Sequence, residues 1–376
     1  MKKLFRPSNP PLFAERKQSV HKFAAIRDHP FFYRAFLLSL AIGLLVTITV
    51  AVMLGPVPIA PGTVWTIAYS HLPGVNGGMA ETWSQGQGHI VWDIRFPRVL
   101  LGVAVGGGLA VAGVAIQALI RNSLADPYIL GVSSGASVAA TLVILFGAFR
   151  FFGQYALSLS SFLGSLIAMV MVVVLARVGG RMSTTRLLLS GIAVSMIMSA
   201  ATNFIVAMAP REEGIRSAMY WMMGGLTAAK WDYLTIPALV VVLGTVLLLF
   251  QYRALNALLM GEEAAVTLGV DILAFRKYLV IIAALLTGTI VSVSGSIGFV
   301  GLMIPHIARL LVGSDHRRVL PVSLLLGAIF IVWSDVLARL LLAPEELPIG
   351  IVTALCGGPF FIWLLRRSAY SFGGAK

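Results

Sequence analysis

Ionisable side chains are rare in this sequence, so the few that interrupt its apolar runs are the natural places to look for chemistry. Asp335 and Arg339 stand four residues apart in one such run. On a helix that spacing puts both on one face, close enough to pair. A carboxylate inside a membrane helix is a known proton-coupling device. A neighbouring arginine favours the plainer reading, a structural ion pair near the helix end. Arg95 and Arg98 bracket a Phe-Pro step at the mouth of the apolar run that follows. Glu262 and Glu263 follow Gly261, where acidic residues suit the start of a helix. The six histidines, His306 after Pro305 among them, are scattered, so a catalytic metal site is improbable. There is no H-E-x-x-H pattern, and the lone Cys356 rules out a disulfide framework or thiolate cluster. No metal site and no bound cofactor are therefore expected. Glycine never precedes lysine, so no phosphate-cradling G-x-x-x-x-G-K-[ST] loop exists. Gly106-Gly107-Gly108 lies within an apolar run and follows no strand, which removes a dinucleotide reading.

The elements that carry these residues follow from composition. Of 376 residues, 58% are apolar and 11% charged. One hydrocarbon crossing takes about 20 apolar residues, and ten such runs can be drawn: 35–54, 98–120, 130–149, 155–176, 185–208, 233–252, 278–295, 298–313, 320–342 and 349–365. The expected fold is all-α and integral to the membrane. Residues 1–34 form a basic tail suited to lying on anionic lipid, 35–368 a single transmembrane domain, and 369–376 a short tail. No nucleic-acid partner is expected from the net charge of +13, because its distribution suits membrane orientation instead. Only Arg95, Arg98, Arg150, Arg211, Arg216, Lys230 and Arg339 fall on the side away from the tails, out of 28 Lys and Arg. Acidic residues divide evenly. A bias confined to cations places both termini in the cytoplasm. In the first outer loop, Pro61-Gly62 reads as the start of a short interfacial helix with Trp65 at headgroup depth. Small residues four apart, Gly102/Gly106 and Gly131/Gly135, mark close helix packing.

Spans this poor in midplane charge are unsuited to ion coupling, which leaves a separate ATPase as the favoured energy source. The stretch 256–271 fits such a partner, being too polar to span and too patterned for a linker. Ala257, Leu258, Met260, Ala264, Ala265 and Leu268 fall on one face of two short helices joined at Gly261. That amphipathic elbow suits either a groove on a soluble partner or the lipid surface.

Seven ordered blocks then resemble the permease subunits of ABC importers for vitamin B12, iron–siderophore complexes and haem. They are RFPRVLL (95–101), QALIRNSLADPYILGVSSGAS (117–137), LLLSGIA (187–193), YWMMGGL (220–226), GEEAAVTLGV (261–270), GSIGFVGLMIPHIARLLVGSDHRRVLP (295–321) and ELPIGIVTALCGGPFFIWLL (346–365). The resemblance implies a type II ABC importer permease with ten transmembrane helices per subunit, the second to fifth and seventh to tenth forming an inverted repeat. It implies a homodimer in the bacterial cytoplasmic membrane, two ATPase subunits that carry ATP and Mg, and an external substrate-binding protein. Arg95, Arg98 and Arg339 match the family arginines that meet glutamates on the binding protein, a task suited to bidentate guanidinium forks. Asn122, Ser123 and Leu124 fall at one cytoplasmic constriction and Ser183, Thr184 and Thr185 at the other; Ser123 stands where the family usually has proline. Gly261, Glu262, Glu263, Ala264, Leu268 and Gly269 match the ATPase-coupling helices. The cargo implied is an iron chelate, siderophore or haem, with cobalamin as the alternative. A gradient-driven secondary transporter is the rival of another class.

Overall fold

A computed structural model describes residues 30–55, 57–71, 83–178 and 181–367. Most of the basic tail, the C-terminal 369–376 segment and part of the 55–93 loop lie outside these residues. The chain is helical almost throughout. In order come α1 (Pro30–Met53), α2 (Pro61–Ser70), α3 (Gln85–Ile120), α4 (Val132–Phe146), α5 (Ala156–Ala176), α6 (Thr184–Ala207) and α7 (Glu212–Met222). They are followed by α8 (Trp231–Phe250), α9 (Tyr252–Leu259), α10 (Glu262–Thr267), α11 (Ile272–Ser294), α12 (Val300–Val312), α13 (His316–Leu340) and α14 (Ile349–Arg367). A two-residue antiparallel ladder, Arg177–Val178 with Arg181–Met182, reverses the chain between α5 and α6.

Among the described residues, eight helices are long and apolar enough to cross a membrane. Every apolar run in the sequence corresponds to a helix, but α4 and α12 are short, at 15 and 13 residues. The physical reason lies before each of them, where the chain bends inside the protein. Before α4 it passes through a 3-10 turn at Pro127–Leu130 to a left-handed Gly131 (φ 71°). Before α12 it turns at Gly295 to a left-handed Phe299 (φ 69°). Non-helical backbone at that depth must find internal partners. Here the first bend supplies partners for the second. The Tyr128 hydroxyl donates to the Ile297 carbonyl and accepts from the Ile297 N–H, both at 2.9 Å. Ser133 Oγ donates to Ser296 Oγ at 2.8 Å. The helix order long, short, long, long thus occurs twice, in α3–α6 and in α11–α14.

The core is built on α3, buried along nearly its whole apolar length. Small residues allow this. A β-carbon at Gly106 would collide with the carbonyl of Gly327 on α13, and one at Gly113 with the carbonyl of Gly301 on α12. The Gly102/Gly106 spacing therefore marks a true close crossing. Gly135 is likewise pressed against Gly164 on α5, whereas Gly131 serves as the turn before α4. Around this centre, α1, α6 and α8 show exposed apolar faces outward, including Leu38, Ile42, Ile197, Phe204, Leu239 and Leu243. Such faces need a hydrocarbon surrounding or another apolar surface. Near the start of α3, Trp92 stacks on His71 and lies 4.6 Å from Trp231, whose indole N–H donates to the Trp92 carbonyl. They form an aromatic cluster of the kind found at headgroup level; α2 begins at Pro61 as expected and carries a half-exposed Trp65.

Candidate functional site

The residues of interest gather at the two ends of α13. At its C-terminal end, α3 brings Arg95 and Arg98 beside Asp335 and Arg339. Asp335 is the hinge of this cluster. Its Oδ1 accepts from Arg98 Nε at 2.9 Å, and its Oδ2 lies 3.0 Å from Arg339 Nε. Arg98 also holds Glu346, with nitrogen–oxygen distances of 3.0 and 2.9 Å. The Asp335–Arg339 pair is therefore present as expected, and Arg98 makes it a bridge between helices.

Arg95 and Arg339 also do something that the sequence did not reveal. Arg95 donates to the carbonyls of Val52, Met53 and Val57 at 2.8, 3.1 and 2.6 Å. Arg339 donates to those of Ala51 and Leu54 at 3.1 and 3.0 Å. The last carbonyls of a helix have no partner within it and carry partial negative charge. Two guanidinium groups thus cap the end of α1. The resemblance implied that all three arginines meet an outside carboxylate; within this chain their guanidinium groups bond to the chain's own carbonyls and carboxylates. Arg95, Arg98 and Arg339 are only 5%, 8% and 6% exposed and are engaged within the chain. Glu346, 36% exposed at its side chain, is the accessible member of the cluster. It borders a cavity of about 440 Å³ that Arg98, Tyr220, Trp221, Ser292 and Tyr233 also line. Tyr220 closes one side of it by donating to the Glu346 carbonyl at 2.6 Å.

At the opposite end of α13 lies the elbow of α9 and α10. Two glycines shape it: Gly261 at φ 113° and Gly269 at φ 82° have backbone conformations that β-carbons disfavour. The apolar residues of the elbow do not share one face, which corrects the sequence reading. Ala257, Leu258 and Ala265 are buried against the body of the protein, whereas Met260 and Leu268 are 72% and 63% exposed, with Val266 outward as well. The inner set anchors the elbow and the outer set remains uncovered. The two glutamates also differ. Glu262 turns inward to Arg276 on α11 at 2.6 Å, with Arg121 at 3.9 Å, while Glu263 is exposed.

Asn256 on α9 is a residue that motif reading passed over. Its Nδ2 donates to Asp315 Oδ1 at 2.7 Å, and its Oδ1 accepts from the His316 N–H and ring Nδ1 at 2.9 and 2.8 Å. Asp315 simultaneously caps α13 through the Arg317 N–H. Its signal was an Asn on the elbow together with Asp-His-Arg-Arg before an apolar run, but only folding joins positions about 60 residues apart. Asn256→Ala should remove all three bonds and loosen the elbow from α13, costing about 2 kcal/mol. Faster hydrogen exchange over 252–260 with the rest unchanged is the expected readout, and unaltered exchange there would refute it.

The two segments expected at the cytoplasmic constriction are shaped by local caps. Asn122 Oδ1 accepts from the Leu124 N–H at 2.9 Å after a left-handed Arg121, and Ser123 is exposed. Ser183 caps α6 by accepting from the Arg186 N–H at 3.3 Å; Thr184 and Thr185 form its first turn. Among the described residues no hydrogen bond joins the two segments. The face of α6 leading away from Ser183 carries Ser195, Ser199 and Asn203 around a shallow groove, a polar stripe along an apolar helix. His306 packs its ring edge-on against Phe360 at 6.0 Å, in keeping with a packing role.

Comparison with known proteins bears directly on this arrangement. The chain is 46% identical over 277 residues to the cobalamin import system permease protein BtuC of Halobacterium salinarum, covering 74% of this chain and 73% of that one. It is 41% identical over 281 residues to the hemin transport system permease protein HmuU of Yersinia pestis, covering 74% and 84%. Against the vitamin B12 import permease BtuC of Klebsiella pneumoniae the identity is 40% over 336 residues, 89% and 94% of the two chains. An inward-facing structure of a metal-chelate-type ABC transporter superposes with a TM-score of 0.77 at 31% identity, covering 89% of this chain and 99% of that one. The model of the FecCD transport family matches residues 43–367, nearly the whole of the helical assembly described above, and the chain belongs to that family.

Proposed function

We propose that this chain is the membrane-spanning subunit of a bacterial ABC importer that moves a metal chelate across the cytoplasmic membrane. Ten helices cross the bilayer, α4 and α12 being completed by the bends before them, and both termini face the cytoplasm. The observation that carries the reading is the uncovered elbow. Met260, Val266 and Leu268 form an apolar knob flanked by Glu263, at the far end of α13 from the arginine cluster. A soluble ATPase with a hydrophobic groove is the partner such a knob suits. The chain supplies no nucleotide site of its own, so ATP and Mg belong to that partner.

A second copy is the natural cover for the polar stripe of α6, since Ser195, Ser199 and Asn203 facing lipid would be costly and facing each other would line a wet passage. Segments 122–124 and 183–185 then narrow its cytoplasmic mouth. On the outer face, the cavity beside Glu346 and Arg98 is where a substrate-binding protein would engage. With Arg98 committed to Asp335, docking there requires Glu346 to yield its guanidinium partner to a carboxylate of that protein.

The cargo we assign is an iron chelate, siderophore or haem. Cobalamin is the second reading, favoured by the 46% identical relative, a cobalamin permease. Uptake of a panel of chelates by cells expressing the chain with its ATPase and binding protein separates the two. For the elbow, Met260→Asp with Leu268→Asp should reduce ATPase co-purification by roughly tenfold or more while leaving the melting temperature unchanged. Retained ATPase binding in that variant would remove the basis of the proposal.

A further inference from the structure

A groove between α5 and α11 is unlike the other apolar faces of the molecule. Val170, Val174, Val280 and Ile281 wall a cavity of about 310 Å³, and Arg177, Arg276 and Lys277 crowd one end of it. Among the described residues no acidic side chain lines the groove. Arg177 ends α5 and Lys277 sits in the second turn of α11, both exposed. Arg276 is shared, because its guanidinium holds Glu262 of the elbow at 2.6 Å. The walls extend over nine residues of each helix, about 12 Å of axial length, along exposed apolar side chains.

We infer that this groove is a binding site for an anionic glycerophospholipid, with an acyl chain between α5 and α11 and the phosphate against Arg177 and Lys277. The charge pattern selects the occupant. Two exposed cations, Arg177 and Lys277, at the end of an apolar channel match a molecule with a negative head and a hydrocarbon tail, whereas a second copy of this face would bring like charges together. Basic pockets between membrane helices on the cytoplasmic side bind such head groups. The site rests on the membrane-spanning reading alone, and no ATPase, binding protein or cargo enters its test.

Native mass spectrometry of the full delipidated chain, titrated with phosphatidylglycerol and with phosphatidylcholine of the same acyl chains, reads it directly. Wild type should bind phosphatidylglycerol more tightly. Arg177→Gln with Lys277→Gln should weaken phosphatidylglycerol by roughly 10- to 30-fold and leave phosphatidylcholine unchanged, which doubles as the control for folding. Arg276 is left intact because it braces Glu262. Val174→Trp, which fills the channel with the charges in place, should weaken phosphatidylglycerol as well. Glycerol phosphate without acyl chains should not compete at matched concentration. Equal binding of the two lipids by wild type would overturn the proposal, as would undiminished phosphatidylglycerol affinity in either variant. Competition by glycerol phosphate would overturn it in favour of a free-phosphate site.

Discussion

Asp335→Ala should lower the stability of the purified protein by about 3–5 kcal/mol, a drop in apparent melting temperature of about 10 °C. The size follows from what remains. Asp335 is 2% exposed and neutralises two guanidinium groups that are themselves buried. Without it, Arg98 keeps Glu346, but Arg339 retains only neutral carbonyl acceptors, and two positive charges face one another away from water. Removing one partner from such a pair costs far more than the pair contributes, because an uncompensated charge is left behind. Arg339 also caps α1, so the damage should spread to the end of that helix. Asp335→Asn retains an acceptor oxygen and should fall between the variant and wild type.

This result also separates two readings of the carboxylate. In a gradient-driven carrier, Asp335→Asn abolishes transport and leaves the fold intact. Here, stability and transport should decline together. Fluorescence-detected melting alongside ATP-dependent uptake makes the distinction, and a stable but transport-dead Asp335→Asn would contradict the structural role.

Gly106→Val is the second substitution of large effect. A β-carbon there meets the carbonyl carbon and oxygen of Gly327 as well as Ile331, and the reciprocal β-carbon at Gly327 meets Gly106. These obstacles are backbone atoms and cannot rotate away. To admit even a methyl group, α3 and α13 must separate, and α3 is the helix around which the rest is packed. Overpacking where side chains can adjust costs 1–3 kcal/mol; with rigid neighbours on both sides, about 3 kcal/mol or more is expected. The variant should appear as aggregate or degraded chain on size-exclusion chromatography. Gly358→Ala within α14 is the control, since nothing lies within 4 Å of its added carbon. It should leave the elution profile unchanged. If Gly106→Val elutes as Gly358→Ala does, the close crossing is not required for folding.

Much of this architecture could be read before any coordinates. Apolar run length found a helix at each of the ten positions, because burying unpaired backbone in hydrocarbon is costly enough to force helicity wherever such a run occurs. Local rules were equally legible at the start of α2, where proline is the first helical residue, and at Gly261, which joins the two short helices of the elbow. The shortness of α4 and α12 was not. Their sequences are as apolar as the rest, and only the meeting of Tyr128 with Ile297 and of Ser133 with Ser296 shows that each begins inside the protein. The doubled long-short-long-long order emerges with them, which is why no repeat was visible in the residues.

The candidate sites divide along the same line. Arg95, Arg98, Arg339, Gly261 and the two glutamates stand out in the sequence as unusual residues. Their directions were not foreseeable. Helical spacing predicted that Arg339 would meet Asp335, since four residues is a local distance, but Arg98 reaches Asp335 across 237 positions and Arg95 reaches α1 across about 40. Adjacent Glu262 and Glu263 look alike in a sequence and part company because Arg276 waits on one side only. What the amino-acid order determined by itself is that this is a helical membrane protein, where its helices lie and which rare polar residues interrupt them, since those are matters of local hydration and local backbone. What tertiary structure alone decided is which of those polar groups are spent holding helices together and which are left for partners, because a charge out of water takes the nearest counterpart, and nearness is a property of the packed chain.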